Sequence, residues 1–200
     1  MVGLAVNFWT VRGYSTAMAE QSTQESLIHD TDDQVVALAP HGGEMEPHTD
    51  DQAIVMADSM DACSAWTFRA YAAETSAYDE FHETSTEITP DGYQLLRKVG
   101  DGFEYGVAFH GYKYSGVYVG GTLDRERRER LAERIETETG LEATVARRGD
   151  ELWADYGGTH RRNLLNRLAA ETLQLEQGEL AREGHAESIA ITVADFVEDL

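Results

Sequence analysis

Two histidines stand where apolar segments of this chain end, and their surroundings favour metal chemistry. His41 lies in the segment 39–46, of sequence Ala-Pro-His-Gly-Gly-Glu-Met-Glu, directly after the apolar run 35–38. His110 follows the apolar run 105–109 in the same way. Both runs are typical of buried strands, and ligands bind at the carboxyl edge of α/β sheets, so we expect the two imidazoles at one edge. Two His and one Glu are the ligands of carboxypeptidase-type catalytic zinc, with a fourth position left for water.

The carboxylate of this site can come from either of two glutamates. His41 and Glu44 have the His-x-x-Glu spacing seen in carboxypeptidases, whereas Glu46 lies two residues further along. Gly42 and Gly43 permit a sharp turn that brings the backbone close to a bound ion. The residues alone therefore predict a zinc site made by both histidines and one of the two glutamates.

The composition bounds the class of protein. A chain of 200 residues is long enough for one domain with a sizeable core. It has 37 acidic and 16 basic residues, a formal net charge of −21, and only two lysines, Lys98 and Lys113. The acidic side chains of such a chain repel one another, and salt screens this repulsion. The composition therefore indicates a protein from a high-salt organism. No segment carries a dominant stripe of Lys and Arg, which argues against a nucleic-acid partner.

Cysteine usage and hydropathy bear on the compartment. The single cysteine, Cys63, excludes an intramolecular disulfide framework and is expected to be a small buried side chain. No apolar run reaches the length that crosses a membrane, and the start of the chain lacks the basic segment of a signal peptide. We therefore expect a soluble protein without a membrane partner, either cytoplasmic or released or virion-associated.

Strand-like and helix-like segments alternate along the chain, which predicts an α/β sheet. The strand candidates are 35–38, 64–71, 81–88, 105–109, 117–119, 144–146 and 172–175. The helix candidates are 50–60, 124–139, 163–170 and 188–199. Residues 1–33 are rich in Ser, Thr, Gln and Asp, and we expect them to form a loosely packed lead-in to an α/β domain at 34–200.

Five short motifs follow one another in a fixed order between about residues 35 and 182. They are His41-Gly42-Gly43 with Glu46-Pro47 and Thr49; His82-Glu83-Thr84-Ser85; His110-Gly111; Gly120-Gly121; and Asn163, Asn166-Arg167, Gln174-Leu175-Glu176 and Arg182. This order resembles the poly-γ-glutamate hydrolase family, which comprises zinc enzymes with a carboxypeptidase-related fold first associated with phages. The resemblance implies a single-domain mixed sheet flanked by helices, of the zinc carboxypeptidase-like α/β class.

The resemblance also implies roles for individual residues. His41, Glu46 and His110 match the zinc ligands, and Glu46 is favoured over Glu44 because Pro47 and Thr49 follow it as in the family. Glu176 matches the general base. The expected substrate-binding residues are His82, Arg162, Asn163, Asn166, Arg167 and Arg182.

Two departures from the family pattern bear on these expectations. Glu44 stands where the family has a small or apolar residue, so a second carboxylate is available near His41. Thr86 and Glu87 follow the middle motif, where the family continues into a further His and an acidic residue. The substrate contacts of that loop are therefore expected to differ.

The leading hypothesis is a zinc-dependent hydrolase of γ-glutamyl amide bonds, acting on poly-γ-glutamate or a similar acidic polymer. A second hypothesis is a zinc amidohydrolase that acts on a small N-acyl amino acid. A third is a non-catalytic binding or virion-associated module that retains the fold. The sequence leaves open the oligomeric state and the choice between endo and exo cleavage.

Overall fold

The computed structural model of the protein describes residues 7–14, 21–29 and 34–200. Eight strands lie in this part of the chain: β1 (Asn7–Tyr14), β2 (Gln21–His29), β3 (Val35–Gly43), β4 (Cys63–Ala72), β5 (Phe103–Gly111), β6 (Val117–Gly120), β7 (Ala143–Val145) and β8 (Ala169–Gln177). Six α-helices accompany them: α1 (Thr49–Ser59), α2 (Ala77–Phe81), α3 (Arg125–Thr139), α4 (Trp153–Tyr156), α5 (Leu164–Leu168) and α6 (Glu179–Glu198).

The strands form one mixed sheet in the order β1-β2-β4-β3-β5-β8-β6-β7. The central strands β4, β3, β5 and β8 are mutually parallel, whereas β2 and β6 run antiparallel to their central neighbours. Parallel strands end at the same edge, so β3, β5 and β8 deliver their last residues to one place. The predicted mixed sheet flanked by helices is confirmed.

Both faces of the sheet are covered. Alternate residues of β3 point to opposite sides, as the period of a strand requires. Ala37 belongs to the core cluster shared with α1, α3 and α6, and Leu38 belongs to the cluster of the opposite layer. That second layer contains α5, the turns near residues 88–99, and the fully buried Trp66 of β4. Such two-sided burial explains why the central strands read as continuous apolar runs.

The beginning of the chain differs from expectation. Residues 7–14 and 21–29 are not a loose lead-in but the strands β1 and β2 of the same sheet, and Leu27 of β2 is fully buried. Antiparallel strands near a sheet edge can keep one solvated polar face, which explains how a segment rich in Ser, Thr and Gln belongs to the sheet. The rest of the proposed lead-in lies outside the described residues.

Two further element predictions need correction. Residues 81–88 are not a strand, because α2 ends at Phe81 and turns follow it; Ile88 is the one fully buried residue of this segment, and the partly buried Phe81 packs against a smaller apolar cluster. The last helix begins at Glu179 rather than at residue 188, and its polar first half hid that start. Within the described residues, no helix is both long enough and apolar enough to span a bilayer.

Candidate metal centre and catalytic site

Three side chains converge at the carboxyl edge of the sheet. His41 near the end of β3, Glu46 in the following turn and His110 near the end of β5 are all more than nine-tenths buried. Nδ1 of His41 lies 3.1 Å from Glu46 Oε1 and 3.3 Å from Nδ1 of His110. Nδ1 of His110 lies 3.4 Å from Glu46 Oε2. Two imidazole nitrogens and a carboxylate thus face one small space.

The hydrogen bond on the far side of His41 fixes which ring nitrogen faces the site. Nε2 of His41 lies 2.7 Å from the main-chain oxygen of Glu83. A carbonyl oxygen only accepts, so Nε2 carries a proton and Nδ1 is the nitrogen directed toward Glu46 and His110. A histidine that donates its other ring N–H to a carbonyl in this way is the usual arrangement for a metal ligand.

The spacing of the three donor groups fits a tetrahedral ion. Ligand atoms at about 2.0–2.1 Å from zinc in tetrahedral geometry lie about 3.3–3.4 Å from one another. The separations of 3.1, 3.3 and 3.4 Å are close to this value, with Glu46 contributing Oε1 to the first and Oε2 to the third. These donor groups therefore fit zinc in chemistry and lie close enough together to share one ion.

The pKa shifts in the site follow from burial and from these contacts. Burial lowers the pKa of His110, so its ring is neutral near pH 7. Burial opposes protonation of His41 as well, but Glu46 and the Glu83 carbonyl together raise its pKa. Burial also disfavours the charge on Glu46, yet the two imidazoles outweigh it and lower the pKa of that carboxyl, which stays ionised.

The loop geometry separates the two candidate glutamates. The exposed Glu44 turns toward β4, where its Oε2 accepts a hydrogen bond from the Ala72 N–H at 2.9 Å. Glu46 turns inward, and its Oε2 accepts the Gly111 N–H at 2.9 Å. Only Glu46 of the two contacts the imidazoles.

The two glycines after His41 allow the loop to pack closely. A Cβ on Gly42 would lie 2.5 Å from the Cβ of Asp50, and Gly43 has a φ of +72°. The buried Asp50 accepts the Gly43 N–H at 3.2 Å and pairs with Arg69 of β4. Asp50 thereby anchors the turn that carries His41. Nothing in the sequence indicates this role beyond the position of Asp50 at the start of a helix.

A third histidine lies against this group. The ring of His82 is 4.1 Å from that of His41, centroid to centroid, and its Nε2 lies 4.0 Å from Glu46 Oε1. His41, Glu46 and His82 form a second possible ligand set, with donor atoms within 4.8 Å of one another. Burial and the neighbouring His41 lower the pKa of His82 to about 4, and the exposed Tyr78 stacks on its other side at 4.1 Å.

Glu176 of β8 completes the group of ionisable residues at this edge. Its backbone is paired with His110 in the parallel register of β5 and β8. Burial and the charge of Glu46 raise the pKa of its carboxyl well above the usual range. The structure places it within β8, one residue before the strand ends, rather than just after the strand.

Most of the other expected substrate-binding side chains form hydrogen bonds with main-chain carbonyls. Asn166 donates to the carbonyls of Gly158 and His160, at 2.8 and 3.0 Å. Arg167 donates to the carbonyl of Ile88.

Arg182 is held in the same way. Its Nε donates to the Gln177 carbonyl at 3.1 Å and its Nη1 to the Pro47 carbonyl at 2.9 Å. Arg182 thus supports the loop behind Glu46.

Arg162 and Asn163 differ from this group. The Arg162 side chain is exposed, whereas Asn163 is buried and bonded to Gln174, which in turn donates to Glu176. Gln174 belongs to one of the motifs found in the sequence, but the sequence analysis assigns it no role. Its position two residues before Glu176 on one strand, and so on the same face, was the available signal.

Aromatic side chains near the site were also missed. Tyr112, Tyr114 and Tyr156 contact one another edge to face, with ring centroids 5.5 to 6.2 Å apart. Burial raises the pKa of Tyr112 to about 12, and the charge of Glu176 adds to that shift. Tyr112 follows directly on the His110-Gly111 pair, which was the signal in the sequence.

The chain matches known proteins in sequence and in fold. Residues 14–192 match the poly-gamma-glutamate hydrolase family. The SPbeta prophage-derived UPF0714 protein YoqZ of Bacillus subtilis (strain 168) is 31% identical over 154 residues, which cover 75% of this chain and 51% of that protein. The chain therefore spans about half the length of this relative.

Two solved structures share the fold. A bacteriophage poly-gamma-glutamate hydrolase matches with a TM-score of 0.68 and 20% identity, covering 100% of this chain and 91% of the other. A zinc-free apo form of YNDL matches with a TM-score of 0.66 and 19% identity, covering 96% and 90%. From the family match over most of its length, the chain belongs to the poly-gamma-glutamate hydrolase family.

Proposed function

We propose that this protein is a zinc-dependent hydrolase of γ-glutamyl amide bonds in poly-γ-glutamate or a similar acidic polymer. The observation that carries the proposal is the buried triad of His41, Glu46 and His110, whose donor groups lie 3.1 to 3.4 Å apart, beside the buried carboxyl of Glu176. Membership in the family and the zinc-free form of a protein with the same fold support the choice of metal and reaction.

His41, Glu46 and His110 are the ligands in this proposal. His82 is assigned to the substrate side because its Nε2 lies 4.0 Å from Glu46 Oε1, further than the spacing within the triad. A zinc ion held by these residues would polarise the amide carbonyl and lower the pKa of a water molecule. Burial keeps His110 neutral, and the hydrogen bond from Nε2 of His41 to the Glu83 carbonyl directs Nδ1 of that ring inward, where metal binding would displace the proton that Glu46 favours on it.

Glu176 is the proposed general base. A base of this kind takes a proton from the attacking water and passes it to the leaving amine, which requires a pKa closer to neutrality than that of an ordinary glutamate. Burial and Glu46 raise the pKa of Glu176 in that direction. Oε1 of Glu176 is held by Gln174 at 2.7 Å, and within the described part of the chain no hydrogen bond to its Oε2 is found, so Oε2 is the oxygen assigned to the attacking water.

The substrate side of the proposal rests on the residues around this centre. His82 and its stacked neighbour Tyr78 lie beside His41, and burial followed by the charge of Glu176 raises the pKa of Tyr112 and of Tyr156. The exposed Arg162 is the proposed partner for a substrate carboxylate, because a guanidinium binds both oxygens of a carboxylate. Asn163, Asn166, Arg167 and Arg182 are assigned supporting roles, since their side chains contact the backbone or other side chains.

Zinc quantification and a γ-glutamyl hydrolysis assay in high salt test the proposal. We expect about one zinc per chain and polymer cleavage in the wild type, and loss of both in His41→Ala. His185→Ala on α6 is the matched control and should retain both. Full zinc in His41→Ala would remove this residue from the ligand set. A wild type that binds zinc but cleaves only small N-acyl amino acids would replace the polymer as substrate, and one without zinc or hydrolysis would favour a binding module.

A further inference from the structure

Three buried side chains form a continuous line that ends at Glu176. Asn163 donates from Nδ2 to Oε1 of Gln174 at 2.9 Å, and Gln174 donates from Nε2 to Oε1 of Glu176 at 2.7 Å. The three residues are 6%, 5% and 4% exposed. The two amides and the carboxyl group therefore have few alternative partners in solvent.

The orientation of both amides follows from one backbone group. Asn163 is the N-cap residue of α5, and its Oδ1 accepts the Leu165 N–H at 3.0 Å. A backbone N–H can only donate, so the oxygen of Asn163 must face the helix and its Nδ2 must face Gln174. Gln174 then has to present Oε1 to Asn163, which leaves Nε2 for Glu176.

The loop above Gln174 keeps this amide in place. A Cβ on Gly158 would lie 2.9 Å from both the Cβ and the Oε1 of Gln174, so the backbone of this loop packs directly on the side chain. Asn166 holds the Gly158 carbonyl at 2.8 Å and itself accepts the Thr172 hydroxyl at 2.7 Å. Rotation of Gln174 would disturb the loop as well as the hydrogen bonds.

We propose that Gln174 and Asn163 are positioning residues for Glu176, and that the N-cap of α5 fixes the direction in which both amides donate. This inference rests on the proposed function, because it gives Glu176 the role of base. We call the two hydrogen bonds from Asn163 to Gln174 and from Gln174 to Glu176 the relay. The relay places an N–H donor at Oε1 of Glu176, which fixes the orientation of the carboxylate and leaves Oε2 for the attacking water. An inverted Gln174 would instead turn its own oxygen toward this carboxylate and repel it.

Asn163→Asp inverts the relay without removing the cap. Asp caps a helix about as well as Asn, so α5 keeps its first hydrogen bond. An aspartate at 163 offers only acceptors, so Gln174 turns Nε2 toward it and Oε1 toward Glu176. We expect kcat to fall about 10- to 100-fold, as for other partners that orient functional side chains, with KM and zinc content unchanged.

Gln174→Leu provides the second arm of the experiment. Leu has a similar size and makes no hydrogen bond, so the relay is cut at its centre. If Asn163 acts through Gln174, Asn163→Asp added to Gln174→Leu lowers kcat no further. If the added aspartate acts only through its charge or through general destabilisation, the two losses multiply, which overturns the proposal. Wild-type kcat in either single variant also overturns it.

A measurement without substrate separates this inference from the proposed function. In 1H–15N spectra of the zinc-free protein, we expect a slowly exchanging side-chain amide of Gln174 that shifts strongly in both Asn163→Asp and Glu176→Ala. A Gln174 side-chain amide that exchanges rapidly with solvent, or whose chemical shift stays the same in both variants, refutes the relay even if the enzyme is active. Retained hydrolysis in Glu176→Gln would refute the assigned base and leave the spectroscopic result standing by itself.

Discussion

His110 and Glu176 are paired residues on the adjacent parallel strands β5 and β8. A proposed zinc ligand and the proposed base are therefore placed relative to each other by sheet register. His41 reaches the same edge from β3, whose pairing with β4 is irregular between Ala39 and Gly42, next to Pro40. A proline has no N–H for the ladder, and such irregularities redirect the side chains near them. The regular part of the sheet thus fixes two groups, and a local irregularity aims the third.

Glu176→Gln is expected to abolish hydrolysis and to stabilise the zinc-free protein at neutral pH. Burial and Glu46 raise the pKa of Glu176 in the folded state above its unfolded value, so the folded state holds a proton that the unfolded state gives up. Stability is then fully present below the unfolded pKa of about 4.3 and is lost as the pH rises through the folded pKa. Glutamine stays neutral and still accepts from Gln174, so it avoids this loss.

Thermal unfolding at several pH values checks this expectation. The midpoint of Glu176→Gln should exceed that of the wild type at pH 7, where about 1 kcal/mol corresponds to roughly 2–4 °C for a chain of this size. The difference should vanish near pH 4. An exposed glutamate of α3, Glu133, provides the control, since Glu133→Gln should show no such dependence. A Glu176→Gln protein less stable than wild type at pH 7 contradicts the prediction.

The choice of carboxylate ligand has a direct test. Glu46→Gln should lower zinc affinity by at least tenfold, because it removes the charge that lies between His41 and His110. Glu44→Gln should leave zinc affinity within about twofold, since Glu44 is exposed and bonded to Ala72. Competition with a zinc chelator measures both variants. The opposite ranking would make Glu44, which has the carboxypeptidase-like His-x-x-Glu spacing from His41, the carboxylate ligand.

Gly111→Ala probes the support behind the metal centre. A Cβ at this position would lie 2.9 Å from Cζ of Arg182 and 3.2 Å from Cβ of Glu46, so one of these groups has to move. We expect weaker zinc binding and a loss of stability of about 1–3 kcal/mol, as for other overpacked sites. Gly184→Ala on α6 is the control, because its Cβ would meet nothing within 4 Å and alanine favours a helix. Unchanged zinc affinity in Gly111→Ala would mean that Arg182 gives way without disturbing Glu46.

The sequence predicts the site best where a residue with a reactive side chain lies at the end of a predicted strand. His41, His110 and Glu176 each follow or end an apolar run, so their common edge could be predicted from the order of strands. The partners of Asn166, Arg167 and Arg182 could not, because they are backbone carbonyls of distant loops that no side-chain pattern marks.

The positions of polar residues within the buried sheet could not be predicted from the sequence either. Gln174 looks like a solvent-facing strand residue until Asn163 is placed beside it. Likewise, the polar segment 21–29 carries few apolar residues to mark it as part of the sheet, yet it pairs with β4 along its length. In both cases long-range hydrogen bonding, rather than local hydrophobicity, decides the structure.

Salt should increase activity on an acidic polymer more than on a small substrate. The protein has a formal net charge of −21, so it repels a polyanion over the Debye length, which is about 10 Å at 0.1 M and about 3 Å at 1 M salt. Raising salt through this range should lower KM for poly-γ-glutamate several-fold and change KM for a γ-glutamyl dipeptide much less. Circular dichroism at each salt concentration separates this effect from salt-induced folding. Equal salt responses of the two substrates in fully folded protein would show that encounter with the polymer is not limited by long-range repulsion.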